Sequence, residues 1–295
     1  MKFVSIVSSG AARLGVMLDG ERVLDLAKAE PNAAFADLIS LIEAGDAGLE
    51  AARRLAAAAP PSAVVKLADV TLQAPIPSPR KNVFCVGRNY IEHVEEGYRA
   101  RGTEVKLPEY PQFFTKPRTA VVGHGATVPL HANVTAMLDY EVELAVVIGR
   151  GGVNIPIESA LDHIFGFTII NDVTGRDVQR RHDQWFKGKG LDGTCPMGPW
   201  VVERGDVSDP QALDLSLKVN GEIRQSSNTK HMIFPIARII SELSLGLTLE
   251  PGDIIATGTP SGVGYAMTPP RPLKAGDVMT LEIEQIGTLE NRVGN

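Results

Sequence analysis

Cysteine is nearly absent from this chain: only Cys85 and Cys195 occur in 295 residues. Each lies in an apolar stretch, and neither belongs to a CxxC or Cys/His cluster. That scarcity excludes a disulfide framework and argues against a structural zinc site. Blocks of Lys and Arg are missing too, and the formal charge is −6. Nothing in the sequence would track a phosphate backbone, so nucleic acid is not an expected partner. No stretch approaches the roughly 18 to 20 apolar residues that span a bilayer. Met1-Lys2-Phe3-Val4 runs straight into strand-like sequence, without a basic leader, an apolar h-region or a small-residue cleavage site. These absences predict a soluble, cytoplasmic protein with no membrane partner. What is present is ordinary globular material. Hydrophobic residues at 44% and charged residues at 22% exclude disorder as the main state, and the length suits one large domain plus a smaller one.

Residues 2–8, 12–18 and 21–26 read as short strands separated by the turn signals Ser9-Gly10 and Asp19-Gly20. Helical stretches follow at Ala34–Glu43 and Leu49–Ala58. Pro60-Pro61 and a segment ending in Pro75, Pro77 and Pro79 place a domain boundary near residues 70–80. The expected division is a small α+β domain over 1–75 and a larger domain over 76–295. After Asn82 the pattern is β-dominated. Val83–Val86, Tyr140–Ile148, Ile164–Ile170, Leu213–Val219 and Val278–Ile283 are aliphatic and β-branched, and Asn220-Gly221 is a strong hairpin signal. Pro235 opens one clear helix with Ile236, Ile239, Ile240 and Leu243 as its buried stripe. No regular βαβ alternation occurs. The fold class is α+β, mainly β: a mixed β-sandwich or roll.

The chemistry concentrates in a few places. In Asp139-Tyr140-Glu141-Val142-Glu143-Leu144 a strand puts Glu141 and Glu143 on one face with Ala145 and Val147. Two like charges on an apolar face repel and resist desolvation, so a hard divalent cation would neutralise them; a solvated edge strand is the bland alternative. Asp172, at the exit of an apolar strand, is placed to add a third carboxylate. In Phe186-Lys187-Gly188-Lys189-Gly190 glycines flank Lys189 as a loop would, and its ammonium suits a carboxylate or enolate. Thr257-Gly258-Thr259-Pro260-Ser261-Gly262 is a second Gly-rich loop with free N–H groups and hydroxyls. His93 and Glu96 are neighbours on a helical turn, a carboxylate–imidazole pair able to activate water, or else an incidental surface pair. The polar run from there to Tyr110 suits a mobile lid.

In order, these pieces resemble the fumarylacetoacetate hydrolase family. The resemblance covers residues 80–295. It rests on Gly87-x-Asn89-Tyr90-x-x-His93, Phe114-x-Lys116-Pro117, Asp139-Tyr140-Glu141-x-Glu143-Leu144, Asn171-Asp172-x-x-x-Arg176-Asp177, Gly188-Lys189 and Thr257-Gly258-Thr259-Pro260-x-Gly262. It implies a variable N-terminal part over 1–75, a metal-dependent catalytic domain over 76–295, a homodimer and one divalent ion, Mg²⁺ or Mn²⁺, held by Glu141, Glu143 and Asp172. Relatives acting on the animal substrate carry a fourth acidic ligand in the first motif; this sequence shows Gly87-Arg88 nearby and no such carboxylate, which points to the three-carboxylate branch. The expected catalytic groups are His93, Glu96 and Lys189, with Arg88, Tyr90, Lys116, Gln179, Gly258 and Thr259 as substrate contacts. The expected reaction is C–C hydrolysis of a 2,4-dioxo acid such as an acylpyruvate or fumarylpyruvate. The alternatives are an oxaloacetate-type decarboxylase or a 2-oxo-acid isomerase or hydratase. From another class, a non-catalytic metal-binding oligomer remains. A cofactor-using oxidoreductase is excluded, because the sequence has no dinucleotide fingerprint and no cluster for iron or haem.

Overall fold

The structure, a computed structural model, describes residues 1–8 and 10–295. The Ser9-Gly10 turn expected between the first two strands includes Ser9, which lies outside the described residues. The protein is mixed α+β, mainly β. Its largest sheet starts with Val64–Lys66, Arg22–Asp25, Ala11–Met17 and Lys2–Ser8. It continues through Cys195–Glu203, Ile164–Asn171, Val142–Ile148, Ile254–Ala256, Val83–Gly87 and Gln112–Lys116. A five-stranded sheet contains Glu222–Asn228, Asp214–Val219, Val278–Ile283, Gly287–Gly294 and Thr127–Pro129. The hairpin at Asn220-Gly221 forms as its sequence demands, with both residues at positive φ, 52° and 80°.

The strand Val142–Ile148 lies inside the large sheet between Ile164–Asn171 and Ile254–Ala256, which removes the solvated-edge alternative. Its two faces serve two cores. Val142, Leu144, Val146 and Ile148 join a cluster with Leu215, Leu217 and Leu281 of the second sheet and Ile239 and Ile240 of the helix Ile236–Ser244. Ala145 and Val147 pack in another with Phe3, Leu14, Leu38 and Leu41. Alternation thus survives in a strand whose seven residues are all buried.

The expected boundary between 1–75 and 76–295 falls across a continuous sheet, since Lys2 and Phe3 pair with Val202 and Val201. The polar stretch after Tyr90 is also more ordered than its composition suggests. It forms the helix Ile91–Arg101, closed by Gly102 in the left-handed conformation (φ 66°). Phe186–Lys189 is a short helix as well, not a loop. Gly188 there lets two backbones meet: a Cβ on it would lie 2.5 Å from the Gln179 backbone. Among the described residues no helix is long and apolar enough to cross a membrane. Cys85 and Cys195 are free and buried.

Candidate active site

Strand pairing assembles three carboxylates. In the antiparallel ladder Val142 pairs with Asn171 and Glu143 with Ile170. Beyond the last pair the Asp172 amide donates to the Glu141 carbonyl at 2.9 Å, and the Glu141 amide donates to the Asn171 side-chain oxygen at 3.0 Å. The chains therefore stay together past the ladder. One carboxylate oxygen from each of Glu141, Glu143 and Asp172 lies within 4.8 Å of the others, and all three residues are buried.

Three buried cations answer them. Lys189 Nζ donates to Glu141 Oε2 at 2.8 Å and to Asp172 Oδ2 at 2.6 Å. Lys116 Nζ lies 2.8 Å from Asp172 Oδ1. Arg176 lies 2.7 Å from Glu141 Oε1 and donates through Nε to Asp139 Oδ2 at 2.9 Å. Burial pushes the Glu141 carboxyl up, but Lys189 and then Arg176 outweigh it and hold it well below the usual range. Burial likewise works against the Lys189 ammonium, and Asp172 and Glu141 more than reverse that.

Among the described residues no lysine or arginine forms an ion pair with Glu143. Burial, with Asp172 and Glu141 beside it, drives its carboxyl well above the usual range; the Gly258 amide, donating at 2.8 Å, is its hydrogen-bond partner. Gly258 sits at φ 103°, and a Cβ there would lie 2.7 Å from that of Asn89. Four buried carboxylates, counting Asp139, thus face three buried cations. The missing positive charge is at Glu143, and a hard divalent ion against Glu141, Glu143 and Asp172 would supply it. The residues present fit such an ion, and both Mg²⁺ and Mn²⁺ accept oxygen ligands of this kind.

This centre floors a cavity of about 310 Å³, whose walls include His93, Gln179, Lys189, Thr259, Arg176 and Arg88. His93 Nδ1 is 2.8 Å from Glu96 Oε1. With Glu96 ionised, Nδ1 carries the proton and Nε2 keeps a lone pair for the cavity. The other Glu96 oxygen accepts from the Gly262 amide at 2.8 Å, and Ser261 Oγ donates to Glu92 at 3.1 Å. The helix bearing the pair is thereby seated on the Thr257–Gly262 loop. Among the described residues Arg176 Nη2, buried on a residue that lines the cavity, has no hydrogen-bond partner, which marks a place for a ligand oxygen.

The structure brings together Glu141, Glu143, Asp172, His93, Lys189, Arg88, Gln179 and Thr259, with Glu96 behind His93. Three expected substrate contacts do not line the cavity. Lys116 is fully buried and is occupied by Asp172 and the carbonyls of Val173 and Lys189. Tyr90 is buried in the hydrophobic core, and Gly258 gives its amide to Glu143. Arg176 and Asp139 had no assigned role in the sequence, though both stand in the motifs quoted for it. Asp139 also accepts from the amides of Gly264 and Tyr265 at 2.8 and 3.1 Å, which ties the loop after Gly262 to Arg176. Trp185 and Tyr265 also line the cavity; single aromatics in polar segments carry no periodic signal that would have found them.

The fumarylacetoacetate (FAA) hydrolase C-terminal family matches residues 82–294. The chain is 47% identical to oxaloacetate tautomerase YisK of Bacillus subtilis (strain 168), over all of both chains. Its structure is similar to a fumarylacetoacetate hydrolase from Exiguobacterium antarcticum, with a TM-score of 0.83 and 41% identity over 100% of this chain and 99% of that one. It is also similar to maleylpyruvate hydrolase from Sphingobium sp. SYK-6, solved with manganese(II) and pyruvate. There the TM-score is 0.78 with 31% identity, again over 100% and 99% of the two chains.

Proposed function

The chain belongs to the fumarylacetoacetate hydrolase family of enzymes, and from that premise we propose that it is a divalent-metal-dependent tautomerase of a short 2-oxo dicarboxylate, with oxaloacetate as the type substrate. The observation that carries this reading is the His93 imidazole, oriented by Glu96, on the wall of a cavity lined by Glu141 and Glu143 of the carboxylate centre; His182, which also lines it, is exposed. Keto–enol interconversion needs one base at C3 and charge stabilisation at the 2-oxo oxygen, and no further reactant. At about 310 Å³ the cavity suits a small acid. The full-length similarity to an oxaloacetate tautomerase supports the same choice.

Glu141, Glu143 and Asp172 would hold the ion, which when bound withdraws electron density from a 2-oxo acid and acidifies its C3 hydrogens. The chain's own groups do the rest. His93 Nε2 removes the C3 proton, Glu96 stabilises the imidazolium through Nδ1–H, and the imidazolium gives the proton to the 2-oxo oxygen to complete the enol; in the reverse direction Nε2 takes the O–H proton and returns it to C3. Lys189 directs two N–H groups to Glu141 and Asp172 and keeps a third for the oxygen on which charge develops. Arg176 Nη2 and the Gln179 amide bind the carboxylate next to the oxo group.

C–C hydrolysis of a 2,4-dioxo acid is the second reading, since the same His93–Glu96 pair can take its proton from water. The experiment is to strip the protein with a chelator, restore Mg²⁺ or Mn²⁺, and supply oxaloacetate, acetylpyruvate and fumarylpyruvate in turn. The proposal expects metal-dependent acceleration of keto–enol equilibration and of C3-hydrogen exchange on oxaloacetate, without loss of total oxaloacetate. Pyruvate released from an acylpyruvate would select hydrolysis instead, and pyruvate from oxaloacetate would select decarboxylation.

A further inference from the structure

The cavity's cations differ in how far they are already occupied. Lys189 and Arg176 on the floor are ion-paired with Glu141, Asp172 and Asp139. Arg88 and Arg180, which also line the cavity, have no carboxylate partner among the described residues. Both are instead held on aromatic faces. The Arg88 guanidinium lies 5.4 Å from the Trp185 ring centre and 5.7 Å from that of Tyr98. Arg180 lies 5.0 Å from the ring of Tyr265, which also receives Arg176 at 4.6 Å.

An aromatic face orients a guanidinium without neutralising it or using its N–H fork. Arg88 also adopts φ 57°, a left-handed conformation that a bulky side chain enters only when its surroundings impose it. Gly87 contributes to that arrangement, since a Cβ there would meet the Trp185 ring at 2.2 Å. Asp183 is on the same cavity wall, exposed, and forms no ion pair with either arginine. Charge therefore changes with depth: carboxylates and their paired cations at the floor, two unspent guanidinium groups further out.

We propose that Arg88 and Arg180 form the subsite for the second, distal carboxylate of the substrate and set the preference for dicarboxylic over monocarboxylic 2-oxo acids. This rests on the reading of the site as one for a short 2-oxo dicarboxylate. A substrate with its 2-oxo acid end at the floor presents its far end to these two groups, and a planar fork accepts a carboxylate in bidentate fashion.

The test compares oxaloacetate with 2-oxobutanoate, in which a methyl group replaces the distal carboxylate, and with oxalate, which reaches the floor alone. Dissociation constants are measured by calorimetry on the metal-loaded full chain, for the unaltered protein, Arg88→Gln, Arg180→Gln and the double variant. C3-hydrogen exchange is followed in parallel. The expected result is binding of oxaloacetate about tenfold or more tighter than 2-oxobutanoate, with about tenfold lost per arginine and the preference abolished in the double variant. Oxalate affinity retained in each variant shows that the floor is intact. A preference unchanged in the variants, equal weakening of both oxo acids, or no preference in the unaltered protein overturns the proposal. A charge preference that the variants lose, without any hydrogen exchange, keeps the subsite and rejects the tautomerase reading. Exchange with no charge preference does the reverse.

Discussion

At Glu143 the electrostatics of the centre come to a point. Its neighbours Glu141 and Asp172 each face a lysine or arginine, whereas Glu143 is buried against one backbone amide. Removing its charge while keeping its shape should therefore relieve the metal-free protein. For Glu143→Gln we expect a metal-free melting temperature about 2 °C or more above that of the unaltered chain. The stabilisation by Mn²⁺ or Mg²⁺, about 2.7 kcal/mol at a hundredfold excess over Kd, should vanish. Differential scanning with and without metal measures both; a destabilised metal-free variant would show that Glu143 does not carry the uncompensated charge. His93 supplies the complementary case. It touches no carboxylate of the centre within bonding distance, so His93→Ala should abolish turnover and leave metal-induced stabilisation intact. Loss of both, or of neither, contradicts its role as the base.

Elements meet the site through side chains that bind backbone. Asn89, fully buried between Val83–Gly87 and the helix Ile91–Arg101, donates to the carbonyls of Phe234 and Thr257 and accepts from the Phe234 amide at 2.7 Å. It clamps three segments at once. Asn89→Ala strands three buried backbone groups and should cost about 3 kcal/mol or more, read from urea denaturation; a loss under about 1 kcal/mol would mean that water replaces it. Asp177, in the first turn of Arg176–Arg181, fastens the loop at Thr135. Partial burial works against its charge, but hydrogen bonds from the Thr135 hydroxyl and the Ala136 and Val178 amides hold its carboxyl below the ordinary 3.8. A depressed folded-state pKa contributes stability that is complete above the unfolded value and lost as pH falls through the folded one. Acid titration of stability should therefore show Asp177→Asn weaker by about 1 kcal/mol at neutral pH, with the gap closing below pH 3.8. A constant gap would assign the loss to packing.

For the whole molecule the decisive feature is the shared sheet. Lys2–Ser8 pairs with Cys195–Glu203, and Thr71–Gln73 pairs with Lys2–Ser8. Phe3 and Leu14 share a core cluster with Val147, Ile170 and Val201. Deleting residues 1–75 would open a hydrogen-bonding edge and an apolar face together. The remaining chain should aggregate or lose cooperative unfolding by size-exclusion chromatography and chemical denaturation. A monodisperse 76–295 fragment that still binds metal would show that the N-terminal part is an accessory.

Local pattern alone determined a good deal of this protein. The Glu141–Glu143 spacing, the Asn171-Asp172 exit, the Asn220-Gly221 hairpin and the Pro235-led helix are short-range features, and period-two alternation or turn chemistry needs only neighbouring residues. The Glu141–Glu143 pair was legible for that reason, whereas Asp172 as its third partner and the His93–Glu96 pair as catalytic groups rested on the family resemblance. What required the tertiary structure is whatever depends on which side of a shared wall a residue faces. Lys116 reads as a substrate cation and is spent on Asp172. Tyr90 reads as a contact and is core. Arg176, Asp139, Trp185 and Tyr265 gain their roles from charge balance and ring stacking between segments far apart in sequence. Burial and pairing of charge are sums over all neighbours, and those neighbours are set only when the sheet closes.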